Sequence, residues 1–274
     1  MSLQTEFDNK IAELIRQAEQ MTDDQVAKAI QILERARREV LSTVGTTDWQ
    51  IYHLPQLKTA IERAMQEFAS RYGVELNRDE SQFWNFGQQM VDDPLRTIGI
   101  IAAIPAIDTT IFGALQNYSK HLIDSLGADA TAKIYNEFAM GLIGKKSPFE
   151  VMQAVGANLN EPSIFNSIAS RAETITRQEC GRILEEATQA RMERAAEVVP
   201  GLKKQWKHGT SRVPRLTHLA AVDQVRAVNE PFLVGGEQLM YPRDMNGSPR
   251  NTINCSCYTV PYSADWSEAL DKAA

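Results

Sequence analysis

The chain has 274 residues, 43% hydrophobic and 23% charged, which suits one large domain or two smaller ones with a proper core. A net charge of −6 and a pI near 5.4 exclude the broadly basic surface of a protein that coats nucleic acid, while leaving room for a local basic patch. Three cysteines, Cys180, Cys255 and Cys257, make no even disulfide framework and point to a reducing compartment.

The first residues have neither the basic start nor the apolar run of a signal peptide. Phe7, Ile11, Leu14, Ile15 and Ala18 then form one apolar stripe at helical spacing. Thr22 and Gln25 match a capping box, which predicts a second helix with Val26, Ile30, Leu33, Val40, Leu41 and Val44 inward, stopped by Gly45. A third helix is expected after Pro55, with Leu57, Ile61, Ala64, Met65, Phe68 and Tyr72 inward and its end at Gly73. Asp93-Pro94 punctuates the chain before its most apolar stretch, residues 98–115. That stretch is of about membrane-spanning length, but Pro105, Asp108 and several small residues interrupt it. It reads as a buried helix or a surface for a partner, and no membrane association is expected.

A further helix is predicted from about Asp129 through Ile134, Phe138 and Leu142 to Gly144. Ser147, Pro148 and Glu150 supply a cap, a first-turn proline and the reciprocal glutamate of a short helix ending near Gly156. Glu161-Pro162-Ser163 opens what reads as the longest helix, whose apolar positions repeat at three and four until Pro200-Gly201. Beyond it the pattern changes. Residues 232–234, 238–241 and 253–262 read as short strands, with Gly235-Gly236 as a tight hairpin turn. The fold class is therefore α+β and predominantly helical. A helical body (1–162) precedes a small C-terminal α+β module (163–265) and a tail (266–274), with an accessible linker expected near 199–210.

No phosphate-binding loop, dinucleotide fingerprint, nucleophile elbow or His-Glu-x-x-His motif is present, and no catalytic residue is assigned. Asp92-Asp93, at a turn before proline, reads as a solvated pair. The group with chemical content is His218 with Cys255 and Cys257. Strand neighbours two apart face one side, so both sulfurs could meet the histidine and offer three ligands suited to zinc. A fourth ligand is not evident, and two cysteines packed as small hydrophobes explain the same residues. The expectation is no cofactor, with zinc as the alternative. Lys203, Lys204, Lys207, Arg212 and Arg215 form a basic run without an acidic neighbour, interrupted by Trp206, and are the candidates for phosphate contact with double-stranded DNA. The competing reading is a solvated linker with Trp206 in the core.

Lys203-Lys204 and Trp206, then Arg212, Arg215 and His218, then Glu230-Pro231-Phe232, Pro242-Arg243-Asp244 and Asn254-Cys255-Ser256-Cys257, resemble the motif order of the tailed-phage head-morphogenesis family, the Mu F-like minor head proteins. The helix around Arg171 to Glu179 resembles the one leading into that family's module, so the resemblance covers about a hundred residues, 163–262. Two departures stand out. Gly209-Thr210-Ser211 replaces an acidic residue before the arginine–histidine element, and Ser256 replaces a basic residue between the cysteines. The resemblance implies a non-enzymatic virion protein acting in procapsid assembly and DNA packaging at the portal vertex. Its implied partners are the portal protein and the major capsid or scaffold proteins. Its implied location is the head interior or portal vertex, and the host cytoplasm during assembly. Two other readings compete: a metal-dependent enzyme on the His/Cys module, and a helical DNA-binding protein using the basic run.

Overall fold

The computed structural model describes residues 3–46, 53–157, 160–210, 213–263 and 266. The architecture is α+β and predominantly helical, a helical N-terminal body with a small C-terminal sheet module. Its helices are α1 (Leu3–Thr46), α2 (Leu54–Thr97), α3 (Thr110–Leu142), α4 (Pro148–Val155) and α5 (Ile164–Ala196), with one-turn helices α6 (Leu216–Leu219) and α7 (Pro249–Thr252). The strands are β1 (Lys203–His208), β2 (Val225–Ala227), β3 (Phe232–Val234), β4 (Glu237–Leu239) and β5 (Cys257–Tyr262). The chain divides into two compact units that interleave along the sequence: Met1–Asp23, Glu80–Leu115 and Arg177–Ala274 in one, Asp24–Asp79 and Gln116–Thr176 in the other.

The helices run longer than their punctuation suggests. Thr22 does not cap a second helix. Its hydroxyl donates to the Ala18 carbonyl at 2.8 Å, and α1 passes through it without a break. The buried face accordingly passes from Ala18 to Gln25, seven residues or two turns on, and continues through Ala29, Leu33, Ala36, Val40 and Val44, spaced by threes and fours. Val26 and Ile30, expected inward, are only half-buried. Gly73 likewise sits inside α2, where Tyr72 and Leu76 carry the buried face across it. Pro94 lies in the last turn of the same helix. Both α1 and α2 have 44 residues against 33 for α5, so the helix expected to be longest is not.

The described residues of the unit of Asp24–Asp79 and Gln116–Thr176 form helices and connecting turns but no strand, with Met65, Phe68, Ile134, Phe138, Val151 and Phe165 in its core. Tyr72 is buried there and its hydroxyl donates to the Ala172 carbonyl at 3.0 Å. The short helix α4 starts as its sequence predicts: Ser147 and Glu150 make both hydrogen bonds of the capping box, and Gly156 ends it.

In the other unit α2 and α5 approach so closely that a Cβ on Gly87 would lie 2.4 Å from the Leu184 carbonyl oxygen. Thr188 donates across this contact to the Gly87 carbonyl at 3.1 Å. Arg191 of α5 grips Asp92 through two hydrogen bonds of 2.8 Å and donates to the Pro105 carbonyl at 2.8 Å. Asp92 is thus one side of an ion pair and not a solvated turn residue. The apolar stretch 98–115 is not one buried helix. Residues 100–109 have no regular structure, and α3 begins at Thr110, whose amide and hydroxyl donate to Asp108 at 2.8 and 2.7 Å. Ile98 and Ile100 are buried while Ile101 is 86% exposed. No helix among the described residues is long and apolar enough to cross a membrane.

The sheet of this unit has the order β2-β1-β5 and is antiparallel, with Trp206 opposite Thr259 and His208 opposite Cys257. Residues 203–208 are therefore its central strand and not an accessible linker. β3 and β4 form the expected hairpin, with φ of 58° at Gly235 and 84° at Gly236 as a two-residue primed turn requires.

Candidate functional site

The module's small core gathers Trp206, Ala221, Phe232, Val234, Leu239, Cys255 and Cys257. Trp206 is fully buried and meets two rings edge-on, His218 at 5.9 Å and Phe232 at 5.3 Å. Cys255 and Cys257, 49 and 51 positions downstream of Trp206, complete the cluster. Arg215, at the start of α6, donates to the Ile253 carbonyl and ties that helix to the turn before the cysteines. Asn254 adopts φ of 54°, the left-handed conformation that asparagine tolerates better than most residues, and so turns the chain into Cys255. Cys255 precedes β5 and only Cys257 lies on it. It is this turn, and not strand alternation, that brings the two sulfurs to one side.

His218 Nδ1 lies 3.5 Å from the sulfur of Cys255 and 3.5 Å from that of Cys257. The three ligand atoms all lie within 4.8 Å of one another, and all three residues are buried. The cysteines are free thiols. The amide of Cys257 donates to the Cys255 sulfur at 3.4 Å. Contact with Cys257 pulls the Cys255 thiol well below its ordinary range, helped by His218 and the Arg243 guanidinium. The same contact, with burial, pushes Cys257 up.

Arg243 and Glu185 belong to this site and went unassigned in the sequence. Arg243 has φ of 66°, is 7% exposed, and donates to the Cys257 carbonyl at 3.2 Å. It lies flat on α5 because residue 181 is glycine: a Cβ there would stand 2.5 Å from the guanidinium carbon. Glu185, fully buried, accepts the Thr259 amide at 3.0 Å. Burial pushes its carboxyl up to about 8 against the pull of Arg243. Only the Pro242-Arg243-Asp244 motif pointed to the first, and nothing marked the second, since a glutamate in a long helix normally faces water.

A cavity of about 300 Å³ borders Cys255, Arg243, Asn254 and Thr210. Glu19 of α1 closes one side, accepting the Thr210 amide and hydroxyl, each at 2.7 Å. Gly209 and Thr210 thus meet a carboxylate from another part of the chain.

The basic run does not form one patch. Lys204 is fully buried, its ammonium donating to Gln189 Oε1 at 3.1 Å and the Met240 carbonyl at 2.7 Å, over the Phe232 ring. Burial lowers it to about 8. It cannot reach a phosphate. Lys207 pairs with Asp223 at 2.6 Å, and Arg215 is held by Ile253. Lys203 is exposed, and Arg212 lies outside the described residues.

No family model matches the chain, and no solved structure matches it. It is similar to a Bacillus subtilis (strain 168) protein described as "Uncharacterized protein YqbB", with 30% identity over 114 residues. The match spans 40% of this chain and 36% of the relative, so the chain covers about a third of that protein's length.

Proposed function

We propose that this chain is a minor head protein of a tailed phage or prophage, acting in procapsid assembly and DNA packaging at the portal vertex. One observation carries the reading. Trp206, His218, Cys255 and Cys257, the positions that resemble the head-morphogenesis motif, converge in the buried interior of one small module. Residues used in this way preserve a fold, and a motif made of them marks a structural module more readily than a catalytic centre. Exposed apolar side chains on and before α3, Ile101 and Ile111 among them, offer area for a shell or portal partner. The dispersal of the basic run among buried and paired positions weakens the reading of a protein whose main task is to bind DNA.

Co-expression with the portal, scaffold and major capsid proteins encoded beside it is the test. The reading expects the chain in purified procapsids at low copy number. Procapsids that form normally and exclude it overturn the reading.

A further inference from the structure

The geometry points to a metal site: His218, Cys255 and Cys257 bind one divalent cation of the zinc class, His218 through Nδ1, and the ion fastens α6 to the turn that leads into β5. Nothing in the head-assembly reading requires this.

The argument is one of edge lengths. Zinc holds thiolate sulfur at about 2.3 Å and imidazole nitrogen at about 2.0–2.1 Å in tetrahedral geometry, which makes each sulfur–nitrogen edge about 3.5 Å. Both sulfur–nitrogen separations here are 3.5 Å. The sulfur–sulfur edge of the same tetrahedron is about 3.8 Å, inside the 4.8 Å span of the three atoms. Hydrogen bonding alone accounts poorly for this symmetry. Nδ1 has either one proton to give or one lone pair to offer, so it can serve only one sulfur well. A cation between the three atoms is bound by all of them equally. His218 Nε2 has no hydrogen-bond partner among the described residues, so no such partner fixes the tautomer that would protonate Nδ1. The Cys257 amide donating to the Cys255 sulfur is the kind of outer hydrogen bond that orients a thiolate ligand.

Charge agrees. Two thiolates and a neutral imidazole around a divalent ion make a neutral buried cluster, whereas the metal-free pair must bury a thiolate or keep two thiols. Among the described residues no other His, Cys, Asp or Glu joins the group. The fourth ligand would therefore be solvent, for which the cavity bordering Cys255 offers room.

The test uses the full chain, expressed in zinc-supplemented medium, kept reduced and purified without chelator. Elemental analysis should give about one equivalent of zinc. Cobalt(II) added to chelator-stripped protein should produce thiolate-to-cobalt charge-transfer bands and the visible absorption of a tetrahedral site. Cys257→Ser and His218→Gln should each lose or shift those bands, with circular dichroism confirming that the helices remain. Less than about a tenth of an equivalent of zinc, with no cobalt bands from folded wild type, overturns the site. Bands that persist unchanged in both variants place the metal elsewhere and overturn it equally.

Discussion

Glu185→Gln isolates the cost of burying an acid beside the cysteines. Glu185 lies under the sheet with Arg243, Cys255 and the Thr259 amide around it, and its carboxyl is raised from 4.5 to about 8, chiefly by burial. The folded protein therefore holds a proton that the unfolded chain releases. The associated stability is fully present below pH 4.5 and is lost as pH rises through about 8. A shift of this size corresponds to a limit of about 5 kcal/mol, of which about 3 kcal/mol falls between roughly pH 5 and 7.5. Glutamine has the shape of the protonated acid, keeps an acceptor for Thr259, and does not titrate. Urea unfolding across this range should find the two proteins within about 1 kcal/mol at pH 5. By pH 7.5 the variant should be the more stable by about 3 kcal/mol. Parallel profiles would refute the reasoning, because they would mean that Arg243 keeps Glu185 ionised throughout.

Three other substitutions have definite signs. Gly87→Ala places a Cβ 2.4 Å from a carbonyl oxygen and 2.7 Å from the Ala187 Cβ, neither of which is a flexible side-chain end. The overpacking should outweigh the gain of about 1 kcal/mol in helix propensity and leave a net loss of about 2 kcal/mol by urea denaturation. Ser147→Ala removes the α4 cap and should cost about 1 kcal/mol, also read by urea denaturation. Lys204 has its folded value lowered to about 8, so wild-type stability should gain from this group as pH rises from about 8 to 10.5, and Lys204→Met should abolish that gain in pH-dependent unfolding.

The parts of the fold that were legible in the sequence are those where one local rule acts alone. Ser147, Pro148 and Glu150 state a helix start completely, and Gly235-Gly236 states a hairpin. The same rules misled where packing outweighed them. Thr22 and Gln25 have capping chemistry, yet the buried spacing from Ala18 through Gln25 and Ala29 keeps the helix intact, and the misplaced start shifted the expected inner face onto Val26 and Ile30. β1 was illegible for another reason. Its sequence is KKQWKH with burial at Lys204 and Trp206, so one of its two inward side chains is a lysine. That ammonium is accepted in the interior by Gln189 and Met240, partners 15 and 36 positions away. The convergence of His218, Cys255 and Cys257 was readable from residue type. The reason for it, a left-handed Asn254 and an anchoring Arg215, was not.

The claim of a virion role is tested most directly in particles. Wild-type virions from the phage or induced prophage should contain the chain at low copy number by quantitative mass spectrometry, and particles from a strain lacking it should be aberrant or empty of DNA. Infectious, normally filled particles from the deletion strain, with no trace of the chain in wild-type virions, would contradict the account.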